Sequence, residues 1–175
     1  MTSISQNNNI NNKNKEIKDR ALEEIGRLLD IMEALRSDRG CPWDKEQTPE
    51  SLCKYMREET EEAVEAVLSG DKTHINEELG DMLFQVVFQA EIGKEQGDYD
   101  LGTIAQAIGN KLIRRHPHVF AAEKCQTPEE VNVLWQEIKT AEKRLKQEGK
   151  DVNSLSQQEF EAYCLKLRQE QTSET

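Results

Sequence analysis

A chain of 175 residues, 35% hydrophobic and 33% charged, has material for one domain with a real core and a highly polar surface. Its formal net charge of −11 excludes the diffuse nucleic-acid binding that relies on Lys and Arg against phosphates, and it disfavours anionic membranes. There is no apolar run long enough to span a bilayer and no signal-peptide core, and Cys41, Cys53, Cys125 and Cys164 form no metal or redox pattern, which leaves reduced thiols in a cytoplasm as the simplest reading.

Residues 1–14 are Asn- and Ser-rich and almost free of large apolar side chains, so they read as a disordered leader. A first helix is expected from about Lys15 to Ser37, with Ala21, Ile25, Leu28, Leu29, Met32 and Leu35 as its buried stripe. The segment Asp38–Lys45 contains Gly40 and Pro42 and reads as an irregular loop. Trp43 within it is either a plug against the helices or a flat surface for a nucleobase, with Asp44 and Gln47 nearby to hydrogen-bond that base. Thr48-Pro49 signals the start of a second helix and Gly70 its end; a third runs from about His74 to Gln96. Asp100 opens a fourth helix that Pro117 closes, and its last turns carry the basic cluster Lys111, Arg114, Arg115 and His116. Thr127-Pro128 starts a fifth helix, with Trp135 on its apolar face, and the chain breaks again at Gly149. Ser156 and Glu159 suggest a capping box for an amphipathic helix in residues 149–175, a tail beyond a domain at 15–148. No strand pattern of convincing length appears. The fold class is therefore all-α, most simply an antiparallel helical bundle.

Chemistry is concentrated in two carboxylate pairs, Glu59 with Glu62 and Glu78 with Asp81, each spaced i, i+3 and so on one helix face. The break near Gly70 lets one helix fold back on the other, which would bring the four carboxylates together. Hard oxygen donors grouped this way suit Mg²⁺, with Mn²⁺ as a substitute, and Mg²⁺ usually works with a phosphate-bearing substrate. The alternative is a solvated acidic face, common on helices. Against it, Glu58 and Glu62 are like charges at i, i+4, which costs about 0.2–0.5 kcal/mol unless a cation relieves it, and Asp81 is surrounded by apolar sequence.

These motifs, taken together, resemble the MazG nucleoside triphosphate pyrophosphohydrolases. The resemblance rests on Gly40-Cys41-Pro42-Trp43-Asp44-Lys45-Glu46-Gln47-Thr48, on Glu58, Glu59 and Glu62 followed by Glu78 and Asp81 (EExxE…ExxD), on Lys111 through Phe120, and on Trp135-Gln136-Glu137-Ile138-Lys139. It covers roughly Arg20 to Lys146 in one collinear series. Ala121-Ala122 stands where that family usually has Gly-Asp, and the chain has room for one of the two related domains found in longer relatives.

The resemblance implies Mg²⁺-dependent hydrolysis of a nucleoside triphosphate to the monophosphate and pyrophosphate, in house-cleaning or pool control. It implies that Glu59, Glu62, Glu78 and Asp81 hold the metal, with Glu58 as base for the attacking water or as support behind the ligands. Lys111, Arg114, Arg115 and Lys139 would then face the phosphates, and Trp43 and Trp135 the base, with a core anchor as the other reading of Trp135. Single-domain relatives form homodimers or dimers of dimers, and the apolar helix Leu79–Ala90 fits such packing. Two other functions stay open: a phosphoribosyl-ATP pyrophosphatase-like enzyme using the same metal chemistry, and a helical interaction module with a residual metal site.

Overall fold

In a computed structural model, residues 2–121 and 123–173 are described, with side chains described for 12–121 and 123–170. All regular structure among them is helical. The chain divides into two compact units, residues Met1–Leu101 and Gly102–Thr175.

The first unit contains α1 (Thr2–Arg36), α2 (Pro42–Glu46), α3 (Pro49–Ser69) and α4 (Lys72–Gln96). Its core is Met32 from α1, Leu52 from α3, and Val87, Phe88 and Ile92 from α4, with Leu28, Leu29 and Tyr55 packed around them. Of the expected stripe of α1, Met32 is buried and Leu28, Leu29 and Leu35 pack against the core, whereas Ile25 is half-buried outside it and Ala21 is exposed. The helix itself begins at Thr2, well before Lys15. No Gly or Pro interrupts residues 2–14, and adding residues to an existing helix is far easier than nucleating one. Side chains of residues 1–11 lie outside the described set.

Helices α3 and α4 form a hairpin. Thr48 caps α3 by accepting from the Ser51 amide, while the Ser51 hydroxyl accepts from the Thr48 amide, a capping box built with Ser in place of Glu. Gly70 ends α3 at φ 76°, a left-handed conformation in which a Cβ is strained, and Asp71 immediately caps α4 through the Thr73 and His74 amides. Only these two residues separate the helices. The Gln89 amide donates to the Pro49 carbonyl, and Glu59 lies beside Glu78 and Asp81, so the chain returns along itself.

The second unit contains α5 (Leu101–Arg115), α6 (Pro117–Phe120), α7 (Pro128–Gln147), a 3-10 turn at Val152–Ser154, and α8 (Gln157–Ser173). Leu134, Ile138, Ala141 and Leu145 of α7 share one core with Phe160 and Leu167 of α8. The amphipathic helix expected as a tail after residue 148 thus supplies two of the six buried residues of that core. Its start is the expected one: Ser156 and Glu159 bond reciprocally, the carboxylate accepting from the Ser156 amide at 2.8 Å.

Candidate active site

Carboxylate oxygens of Glu59, Glu78 and Asp81 come within 4.8 Å of one another across the α3–α4 hairpin. Glu78 is 8% exposed, and its Oε2 is buried without a hydrogen-bond partner while Oε1 lies 3.2 Å from Nε2 of His74, one turn earlier. A buried carboxylate oxygen with no donor is costly unless something supplies positive charge. The same deficit shows at Glu59. Burial, and then the charges of Asp81, Glu62, Glu78 and Glu58, hold its carboxyl above the ordinary range. Of the four expected metal ligands, three converge. Glu62 is exposed and stands outside that group, although its charge reaches Glu59, and Glu58 is exposed as well.

The loop before α3 is more ordered than its composition suggests. Pro42, at the first position of α2, starts a short helix instead of breaking the chain. Gly40 makes this possible, because a Cβ there would lie 2.1 Å from the Leu35 carbonyl oxygen. The Arg36 side chain, 8% exposed, donates to the Asp44 carbonyl and forms two 2.7 Å bonds to Glu95 of α4, fixing α2 to the hairpin. Trp43 is held 48% exposed, its ring meeting Tyr55 edge-on at 5.7 Å. That rules out the buried plug and leaves an accessible indole face.

Asp44 is buried, and Gln47 is fully engaged: its amide donates to the Trp43 carbonyl, and its oxygen accepts from Ser51.

In the second unit, Arg114 and Arg115 are both bound to Glu142, at 2.8 and 2.7 Å. Burial raises the carboxyl pKa of Glu142, but the hydrogen bonds from Arg115 and Arg114 outweigh it and leave the pKa below the ordinary value. Trp135 donates its indole N–H to the Arg115 carbonyl at 2.8 Å and packs edge-on against His116. It is half-buried and ties α7 to the basic turn at the end of α5. Lys111 and Lys139 are exposed.

Sequence reasoning missed His74, Tyr55, Arg36 and Glu142. His74 had a signal, its i, i+4 spacing to Glu78; Glu142 had none, being 27 and 28 residues from its partners.

A family profile described as the MazG nucleotide pyrophosphohydrolase domain matches residues 47–120, from just before the α3–α4 hairpin to the end of the basic motif. A solved structure titled a mazG-related protein from Thermotoga maritima aligns over 66% of this chain and 98% of its own, with TM-score 0.56 and 35% identity.

The chain belongs to the MazG family.

Among sequence relatives, the nucleoside triphosphate pyrophosphohydrolase of Escherichia coli K12 is 47% identical over 126 residues, 71% of this chain. The nucleoside triphosphate pyrophosphohydrolase/pyrophosphatase MazG of Thermotoga maritima is 42% identical over 130 residues, 73% of this chain. The chain spans about half the length of these two relatives, 48% and 49% respectively.

Proposed function

We propose that this chain hydrolyses nucleoside triphosphates, ribo- or deoxyribo-, to the monophosphate and pyrophosphate with Mg²⁺ as cofactor. The observation that carries this reading is the convergence of Glu59, Glu78 and Asp81 around a buried, unpartnered oxygen of Glu78. The donor set fits the ion: hard oxygens, several negative charges, and a deficit that a divalent cation relieves. Glu59, Glu78 and Asp81 would hold it, with Glu62, exposed on the same helix as Glu59, as the fourth expected ligand. Bound Mg²⁺ would supply positive charge against the triphosphate and acidify a water.

The remaining work belongs to side chains. Glu58 accepts the proton of the water that attacks phosphorus, and the electron pair of the broken phosphoanhydride leaves with pyrophosphate. Lys111, Arg114, Arg115 and Lys139 stabilise charge on the phosphates, with Glu142 setting the angle of the two arginines. Trp43 offers its open face to the base, which supports stacking on any base.

We also read the active form as a homodimer or dimer of dimers. Val64, Val67 and Leu68 of α3, and Leu79, Leu83 and Val86 of α4, are exposed in the isolated chain, a surface of the kind that subunits cover.

Pyrophosphate release from a panel of ribo- and deoxyribonucleoside triphosphates is the test. Turnover should require Mg²⁺ and fall roughly 100-fold in Glu78→Gln, with the fold retained. Folded protein that cleaves no triphosphate with Mg²⁺ or Mn²⁺ present refutes the reading.

A further inference from the structure

The second unit holds an open groove of about 1100 Å³ between α5, α7 and the 3-10 turn, and its wall is strongly basic in an otherwise acidic protein. Seven cations stand there against two carboxylates, Glu142 and Asp151. Glu142 is held by Arg114 and Arg115, and Asp151 caps the 3-10 turn by accepting from the Asn153 amide, so the five lysines of the groove face one further carboxylate. Lys111, Lys139, Lys143 and Lys146 make no ion pair among the described residues, and Lys150 pairs only with Glu148.

Lys139, Lys143 and Lys146 form a row along one face of α7 at i, i+4 and i+7, which spans about 10 Å, and Lys150 continues it beyond the helix end. The helix dipole explains a cation in the last turn, where Lys146 lies. It does not explain Lys139, or Lys111 facing the groove from α5, and like charges at this spacing repel one another.

We propose that this groove binds a linear chain of phosphates, longer than the triphosphate that the family motif serves, with Lys143, Lys146 and Lys150 as the added contacts. Lysines act as point charges and suit a flexible row of phosphates with no fixed bidentate geometry. The uncharged part of the wall is Ile104, Ala107, Ile108, Gly149, Val152 and Asn153, and holds no aromatic ring on which a base could stack. Single-stranded nucleic acid is the poorer fit for that reason, and because the net charge of −11 repels a long polyanion. Lys111, Arg114, Arg115 and Lys139 of this groove are the groups placed on the triphosphate above, so the proposal rests on that reading for its location, but binding here needs neither metal nor turnover and is tested without them.

Titration calorimetry of the full chain in EDTA, with inorganic tetrapolyphosphate and with adenosine 5′-tetraphosphate, tests this. Saturable binding of the inorganic chain is expected, weakened about tenfold or more and with a shallower salt dependence in the triple variant Lys143→Gln, Lys146→Gln, Lys150→Gln. Lys18→Gln, an exposed lysine of the other unit, should bind as the wild type does. Equal affinity for the two ligands assigns recognition to the phosphates alone. The proposal is overturned by absence of saturable binding of the inorganic chain, by undiminished binding in the triple variant, or by a 12-nucleotide single strand that binds as tightly.

Discussion

Glu142 holds two arginines with one carboxylate, and its pH behaviour follows from that geometry. Its folded pKa lies below the ordinary value, so the stability it contributes is complete above the unfolded carboxylate range and lost as pH falls through the depressed folded value. Glu142→Gln should therefore lower stability by about 1–2 kcal/mol near neutral pH, the lower part of the range for charged hydrogen bonds because water still reaches the pair. Thermal melts of the two proteins should converge once the pH is well below about 4. Arg36 is the corresponding clamp in the first unit, and Arg36→Met should cost about 2–3 kcal/mol in urea unfolding, since Glu95 and the Asp44 carbonyl each lose a donor. Neither clamp was legible in the sequence. A carboxylate 27 residues from its arginine looks like any other surface charge, whereas Glu78 and Asp81 could be found because helical periodicity places neighbours at a fixed offset.

At the scale of elements, the helix starts were largely legible because each has a local chemical cause. Thr48, Asp71, Thr127 and Ser156 all bond to amides of the helices they precede. Thr127→Ala should cost about 1 kcal/mol by freeing the Glu130 amide, and Gly70→Ala a similar amount from its left-handed φ, both measurable as lower denaturant midpoints with unchanged slope. What escaped was α2. A Pro and a Gly within a few residues usually mark a loop, but here Pro42 begins a helix of five residues that survives only because Gly40 and Arg36 seat it from outside. Tertiary contacts decide such short elements, and those contacts come from residues far along the chain. The start of α1 failed for a different reason: composition argued for disorder, while nothing in residues 2–14 stops a helix from propagating.

At the scale of the whole molecule, the chain contains two hydrophobic cores, one around Phe88 and one around Phe160. The all-α class was readable from periodicity throughout. The division into units at residue 101 was not, because the apolar stripes of α7 and α8 look alike whether they pack on each other or on a common bundle. Light scattering at micromolar protein should give a multiple of the 20.1 kDa chain mass, and Leu79→Glu with Leu83→Glu should return the monomer mass. Added Mg²⁺ should raise the melting temperature of the wild type and leave that of Glu78→Gln unmoved, because an ion that binds only the folded state stabilises it by mass action.

The two tryptophans of the chain sit in opposite circumstances: Trp43 is half open to solvent beside Tyr55, and Trp135 has its indole nitrogen committed to the Arg115 carbonyl. The protein consequently has two built-in optical reporters, one in each unit. With Trp135 replaced by Phe, the remaining emission comes from the loop alone, red-shifted by water and fed by energy transfer from Tyr55. A nucleobase that settles on that indole face would dim it, so occupancy of the proposed base site can be followed by light without any turnover.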